Sequence, residues 1–165
     1  MSLLFAAIGA TVIALVEVTV APYISVGNAG PHPVLIGAVI WTIAAGIDRG
    51  LAWAFVGGIV LDSLLPRPLG GSAFALLLAV GAAAVINQPF PRLRLVAPIV
   101  AVPILSFGYS IVITGLMVAA QPGLTAPEPA TFLPGAVYDG IVAMFLGPIV
   151  VTLRDRRAAR ERVDW

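Results

Sequence analysis

The chain is divided into six apolar segments by short stretches of proline, glycine and charged residues. The segments cover residues 3–21, 34–47, 51–65, 71–86, 95–120 and 135–153. A transmembrane helix needs about 20 predominantly apolar residues, and the first, fifth and sixth segments have that length. The pattern therefore predicts an all-α polytopic membrane protein, a six-helix bundle that forms a single transmembrane domain over residues 1–165.

The second and third segments are shorter and are separated by the sequence Asp48-Arg49-Gly50. Three arrangements fit them: one long kinked span, a short helical hairpin, or two helices that borrow flanking residues. A single span would place the charged pair near the centre of the bilayer, where each charge costs at least about 2.5 kcal/mol. We therefore expect two helices joined by a tight turn at residues 48–50.

The composition excludes several classes of function. Charged residues make up 10% of the chain and apolar residues 60%, with a mean hydropathy of +1.06, whereas soluble domains carry about 25% charged residues. The absence of Cys excludes disulfides and thiol chemistry, and the absence of Lys excludes a Schiff base and a P-loop lysine. His32 is the single histidine, between Pro31 and Pro33. We interpret it as a loop residue that belongs neither to a zinc site nor to a Ser–His–acid set, and we expect no cofactor.

The distribution of arginine predicts the orientation in the membrane. With six spans and a cytoplasmic N-terminus, only Arg67 lies outside, and the other arginines lie inside: Arg49, Arg92, Arg94, Arg154, Arg156, Arg157, Arg160 and Arg162. This asymmetry favours cytoplasmic termini, with residues 154–165 as a basic tail that attracts anionic lipid at about 1 kcal/mol per arginine. Acidic residues are interspersed in the tail, so we expect no nucleic acid binding. The first segment lacks a basic start and a clear cleavage site, so we interpret it as a retained helix.

Three acidic residues fall at similar depth below the outer surface, namely Glu17, Asp62 and Asp139. Each shares a helix face with small residues: Ala10 and Ala14 for the first, Ala54 and Gly58 for the second, Ala143 and Gly147 for the third. Small residues mark the faces where membrane helices approach closely, so these side chains are predicted to face the bundle interior. The functional interpretation is a polar pocket or docking site near the outer leaflet, with Arg67 or a cation from elsewhere as the counter-ion. The alternative is that these acids reach headgroup water and cap or pair locally at helix ends.

The stretch from Gly57 to Leu78 resembles the signature of the MreD family of rod shape-determining membrane proteins. It has a Gly-rich helix that ends in Leu61-Asp62, a short turn, and then Leu69-Gly70 before another apolar helix. The proline that opens the second segment and the basic-Gly turn that closes it are similar to the family as well. The resemblance implies a fold similar to the substrate-binding membrane subunits of energy-coupling-factor transporters.

The resemblance further implies a non-enzymatic scaffold of the bacterial cell-elongation complex, located in the cytoplasmic membrane. The implied partners are MreC, which would be bound within the membrane, RodA and a class B penicillin-binding protein reached through the complex, and MreB indirectly. The residues expected at the partner-binding site or polar pocket are Glu17, Asp62, Asp139, Arg67, Gly58, Leu69 and Gly70. An alternative function is a substrate-binding membrane subunit of a small-molecule transporter, because acids at one depth are typical of an outward-facing cavity.

Overall fold

The computed structural model describes residues 3–25, 30–87, 95–121 and 123–161, with side chains through residue 156. This part of the chain is helical except for its connections, which confirms the predicted all-α, six-helix fold. A short 3-10 turn, Pro129–Phe132, leads into the last helix. The helices are α1 (Leu3–Ile24), α2 (Pro33–Ala45), α3 (Ile47–Leu64), α4 (Gly71–Asn87), α5 (Ala97–Ala120) and α6 (Leu133–Glu161).

Helix α2 is the central helix of the bundle. It contacts each of the other five helices, and nine of its 13 residues are buried. Its sequence is compatible with burial, because Thr42 is its one residue with a hydroxyl or charged side chain and that hydroxyl donates to the carbonyl of Ala38 at 2.7 Å. At 13 residues it is about 20 Å long, which is shorter than the hydrocarbon core of a bilayer.

The other five helices surround α2 as an open ring in the order α1, α3, α4, α5, α6. Each helix packs against the next in this order. The contact between α3 and α4 is especially close, since a Cβ at Gly58 would lie 2.3 Å from the Cα of Ala73. Among the described residues, α1 and α6 share no extensive contact, so the ring is open between its first and last members.

Within the part of the chain that the structure describes, three helical stretches are long and apolar enough to cross a membrane. They are Leu3–Ile24, Ala97–Ala120 and Pro129–Arg156. Large apolar side chains cover their outer surfaces, as shown by Phe5 at 60% exposure and Phe145 at 65%. An apolar surface of this kind is typical of a protein surrounded by lipid.

The chain reverses between α2 and α3 at Gly46, and the expected turn at Asp48-Arg49-Gly50 is wrong in its position. Gly46 has a φ of +96°, a conformation that glycine adopts without steric cost. Asp48 instead lies in the first turn of α3, where a negative charge is favoured by the helix dipole. Gly50 packs against α2, since a Cβ there would lie 1.9 Å from Thr42 Oγ1.

Helices α1 and α6 extend beyond their predicted ends. Helix α1 continues to Ile24 and α6 to Glu161, whereas the hydropathy pattern ended these segments at residues 21 and 153. In α6 the additional residues are mainly arginine and alanine, which have high helix propensity. The helix therefore continues after the apolar segment has ended.

Candidate functional site

The N-terminus of α2 is capped by acidic side chains from two other helices. The first N–H groups of a helix have no partner within the helix, and those of α2 are enclosed by the ring. Glu17 of α1 accepts a hydrogen bond from the N–H of Val34 at 2.8 Å. Asp139 of α6 accepts one from the N–H of His32 through Oδ1, also at 2.8 Å. The two acids thus fix the same end of the central helix from opposite edges of the open ring.

The N-terminus of α4 is capped in a similar way by Asp62 of α3. Both oxygens of Asp62 lie within hydrogen-bond distance of the N–H of Ser72, at 2.9 and 3.1 Å. Its Oδ2 also accepts a longer bond of 3.4 Å from the N–H of Ala73. The side chain of Asp62 is 3% exposed, so these amides and the carboxyl group are satisfied by each other rather than by water.

All three predicted acids are buried and turned towards the bundle interior, as their small-residue faces predict. Glu17 is 9% exposed and Asp139 is fully buried. Their bonds to helix N-termini agree with the alternative interpretation in one respect, because the acids act as caps. They differ from it in another respect, since each acid caps the start of another helix and the caps lie inside the protein.

His32 and Ser106 belong to the same cluster. Asp139 Oδ2 lies 2.8 Å from His32 Nδ1 and accepts a short hydrogen bond from the hydroxyl of Ser106. The interpretation of His32 as a simple loop residue is therefore incomplete, because it precedes α2 and forms an ion pair with Asp139 when protonated. Nothing in the local sequence indicates this contact, which joins residues 107 positions apart.

The order of these three groups differs from that of a nucleophilic triad. In a triad, the histidine lies between the hydroxyl and the acid so that it can take the hydroxyl proton. Here the acid lies between the other two, since both Ser106 and His32 bond to Asp139. The described residues also hold no group of three or more potential metal ligands. The arrangement is suited to holding helices together.

The charge of His32 depends on opposing effects. Burial disfavours the charged imidazole, but the hydrogen bond with Asp139 and the charges of Asp139 and Glu17 outweigh it. Together they raise the pKa of His32 above its usual value. The side chain remains 25% exposed. His32 therefore gains positive charge more readily than a free histidine, at a point that solvent can reach.

Arg67 bonds to hydroxyl groups and not to the acids that were expected to pair with it. Its Nη1 donates to Ser72 Oγ at 3.3 Å and to Tyr109 OH at 3.4 Å. No ion pair within 4.0 Å joins Arg67 to a carboxyl group in the described part of the chain. Tyr109 also makes an edge contact with His32, at 5.5 Å between ring centroids. Arg67 and Tyr109 thus connect the α4 cap to the α2 cap.

The other residues of the MreD-like signature shape the α3–α4 hairpin. Gly58 allows the close approach of the two helices described above. Gly70 has a φ of +88° and ends the turn just before α4, whereas Leu69 is 79% exposed. The Leu-Gly pair therefore combines a backbone requirement at Gly70 with an exposed apolar side chain at Leu69.

Two polar cavities and one apolar groove adjoin the cluster. Arg67 and His32 lie between the polar cavities, of about 250 and 210 Å³, and Glu17 lines the smaller one. The groove has a volume of about 350 Å³ and lies in the opening of the ring. Its sides are formed by Ile13 of α1 and Val142 of α6, and its floor includes Gly37 of α2.

These features define a class of protein: a polytopic helical membrane protein whose short central helix is held by acids inside the bundle. The family model for rod shape-determining protein MreD matches residues 2–156, which is nearly the whole chain. The chain therefore belongs to the MreD family, as the resemblance predicted, and has a role in rod shape determination. Comparison with curated proteins and with solved structures found no match. The expected likeness to energy-coupling-factor subunits stays a prediction.

Proposed function

We propose that this protein is a non-enzymatic membrane scaffold of the bacterial cell-elongation complex and that it binds MreC within the membrane. Through MreC it would be connected to RodA and a class B penicillin-binding protein, and indirectly to MreB, during peptidoglycan synthesis. Family membership supports the role in cell shape. The observation that carries the binding proposal is the open position in the ring of helices around α2.

The geometry of the ring leaves room for one more helix. Six cylinders of equal width fit around a central one, and helices pack about 8–10 Å apart. Five helices surround α2 here, and the opening lies between α1 and α6. A single transmembrane helix would complete the ring, and we propose that the helix of MreC, a protein with one membrane span, takes this position.

The chemistry of the opening suits an apolar helix. Along α6 the groove runs from Tyr138 to Val150, a rise of about 18 Å, or more than half the thickness of the hydrocarbon core. Gly37 on the floor is covered by the indole of Trp53, since a Cβ at Gly37 would lie 2.6 Å from Trp53 Cζ2, and Trp41 lies beside Trp53. The floor is therefore a broad apolar surface, which suits van der Waals packing of an apolar helix, the main source of helix association in lipid.

The polar cluster would support this site without contacting the partner helix directly. Glu17 and Asp139 belong to the two helices that border the groove, and each fixes its helix to the N-terminal end of α2. They thereby set the positions of both sides of the groove. We propose that Asp62 and Gly58 fix the neighbouring α3–α4 pair, and that the exposed Leu69, held by the turn at Gly70, contacts the partner outside the membrane.

The cavities favour a scaffold over a transporter subunit. Sites for small molecules usually measure about 300–1,000 Å³ and enclose most of the ligand. The polar cavities measure about 250 and 210 Å³, which is below that range. The groove measures about 350 Å³, but Tyr138 and two tryptophans are its only described lining residues with polar side-chain atoms, so it has few of the polar groups that orient a small molecule. We propose in addition that both termini lie in the cytoplasm, on the basis of the arginine asymmetry.

The proposal is tested by blocking the groove with a bulky side chain. Val142 lines the groove, whereas its neighbour Ile141 is 54% exposed on the outer surface of α6 and does not line it. Val142→Trp and Ile141→Trp therefore introduce the same side chain at adjacent positions. We expect Val142→Trp to reduce co-purification of MreC from co-expressing membranes by about tenfold, the loss expected for disrupting about 1.4 kcal/mol of contact.

Ile141→Trp serves as the matched control and should retain MreC at the wild-type level. Both variants must be recovered from the membrane in similar amounts, with the same elution volume in detergent. Equal retention of MreC by both variants would place the partner helix elsewhere on the bundle. The variant Asp62→Ala, recovered as a folded protein with full MreC retention, would show that the α4 cap has no direct part in binding.

A further inference from the structure

We propose that the larger polar cavity binds a phosphate group, in the form presented by a phospholipid headgroup at this end of the bundle. The inference rests on the side chains that line the cavity and on its position beside lipid. It does not depend on MreC binding, because the cavity and the groove between α1 and α6 share no lining residue.

Hydrogen-bond donors dominate the polar lining of this cavity. The polar side chains that line it are those of Arg67, His32, Tyr109, Ser110, Thr114 and Thr131. None of the described residues that line the cavity carries a carboxyl group. The hydroxyl of Ser110 is donated to the carbonyl of Ser106 at 3.0 Å. An arginine, an imidazole and the three other hydroxyl groups together suit a group that offers several acceptor oxygens, and a phosphate offers three or four.

The guanidinium of Arg67 has N–H donors that are available to a ligand. Its two hydrogen bonds both use Nη1 and are long, at 3.3 and 3.4 Å, while a guanidinium carries five N–H donors. Within the described residues, no acid lies within 4.0 Å of it. Arg67 is half-buried and its two present partners are neutral hydroxyl groups, so a bound phosphate would supply an ionic partner.

His32 presents a second nitrogen to the same cavity. Its Nδ1 bonds to Asp139, so that Nε2 is the nitrogen left for a ligand. This nitrogen has no hydrogen-bond partner in the described part of the chain. When His32 is protonated, its Nε2–H is a donor in the cavity that Arg67 also lines. The positive charges of both side chains then attract an anion to this cavity.

The remaining walls favour a phosphate attached to a hydrocarbon chain. Ile113, Met117 and Phe132 line the cavity beside the polar groups, and α5, which carries two of them, is one of the membrane-length helices. At about 250 Å³ the cavity is smaller than a usual small-molecule site. It fits a headgroup whose acyl chains lie along the outer surface of the bundle.

Lipid selection in nanodiscs tests the proposal directly. The wild-type protein would be inserted into nanodiscs with equal amounts of phosphatidylglycerol and digalactosyldiacylglycerol, a bilayer lipid without phosphate, and retained lipid would be measured by native mass spectrometry after release. We expect preferential retention of phosphatidylglycerol, reduced about tenfold in Arg67→Gln because a charge-assisted bidentate contact is lost. Arg67→Lys should keep part of the preference, since it retains the charge.

Two further variants control for charge and for folding. Arg156→Gln removes one arginine from an exposed position of α6 and should leave the preference unchanged. Thr114→Val removes one cavity hydroxyl and leaves the bonds of Arg67 to Ser72 and Tyr109 intact. It therefore tests the phosphate site even if Arg67→Gln does not fold. We expect it to lower the preference about threefold, the effect of one neutral hydrogen bond.

A parallel measurement distinguishes lipid from a soluble phosphate. Inorganic pyrophosphate would be added to the protein in detergent, and the midpoint of thermal unfolding would be compared for wild type and Arg67→Gln. A lipid preference without stabilisation by pyrophosphate assigns the site to a headgroup, and stabilisation without lipid preference assigns it to a soluble phosphate. If Arg67→Gln and Thr114→Val both retain the wild-type lipid preference and pyrophosphate has no effect, the proposal is wrong.

Discussion

The cap that Asp62 provides for α4 gives a stability prediction whose size can be worked from the structure. Asp62→Ala removes the acceptor for the N–H of Ser72, bonded at 2.9 Å, and for the longer bond from Ala73. A hydrogen bond to a charged group contributes about 1.5–3 kcal/mol, and a buried N–H left unpaired costs about 1–3 kcal/mol. These are two descriptions of the same loss, so we expect a decrease of about 2–3 kcal/mol in the free energy of unfolding.

The matched control is Ser63→Ala at the next position of α3. Its hydroxyl bonds only to the carbonyl of Ile59 on the exposed side of the helix, at 2.8 Å, so its loss should change stability by less than about 0.5 kcal/mol. Asp62→Asn should fall between the two, because the amide oxygen keeps one acceptor. Reversible unfolding in mixed micelles with increasing SDS measures all three variants on the same scale.

Hydrogen exchange shows whether the loss occurs at the predicted place. The amides of Ser72 and Ala73 should exchange faster in Asp62→Ala, whereas amides in the middle of α5 should be unaffected. A free energy of unfolding for Asp62→Ala within about 0.5 kcal/mol of that for Ser63→Ala would refute the cap. So would unchanged protection at Ser72 and Ala73.

Two other predictions concern packing and pH. Gly58→Ala should lower the free energy of unfolding by about 1–3 kcal/mol, because its Cβ would lie 2.3 Å from Ala73 Cα. Gly81→Ala is the control and should not destabilise α4, because nothing lies within 4 Å of a Cβ there. Equal stabilities of the two variants would exclude the close helix contact. Because the folded-state pKa of His32 is raised, its pair with Asp139 should contribute fully below pH about 6.5 and weaken as the pH rises through the higher folded-state value. Unfolding measured from pH 6 to 9 in wild type and His32→Gln checks this, and a wild-type stability that falls no more than that of the variant would contradict it.

The helices could be predicted from the sequence because lipid imposes a simple pattern. A membrane span must be apolar over its whole length, so the segments are visible in the hydropathy, and small residues beside Glu17, Asp62 and Asp139 indicate the inward faces. The turn at Gly46 was missed because hydropathy locates charges rather than chain reversals. Asp48 is tolerated in the first turn of α3, so the charged residues are displaced from the turn by two positions.

The hydrogen-bond partners within the candidate site could not be predicted in the same way. His32 and Asp139 are 107 positions apart, and their contact depends on how α6 packs beside α2. The short length of α2 does indicate that its N-terminus needs hydrogen-bond acceptors from other helices. A helix of 13 residues is too short to cross the hydrocarbon core, so its first N–H groups, which have no partner within the helix, need acceptors from elsewhere in the protein. Intramembrane acids at matching depth are the natural source of those acceptors.

We propose above that one partner helix, that of MreC, occupies the opening between α1 and α6. The chain contains no cysteine, so a single cysteine at Val142 or at Ile141 gives a specific probe. Each variant would be co-expressed with MreC carrying single cysteines along its transmembrane helix, and disulfide formation would be measured in membranes after mild oxidation. We expect cross-links from Val142→Cys with a helical period along MreC and few from Ile141→Cys. Cross-linking from Ile141→Cys that equals or exceeds that from Val142→Cys would contradict it.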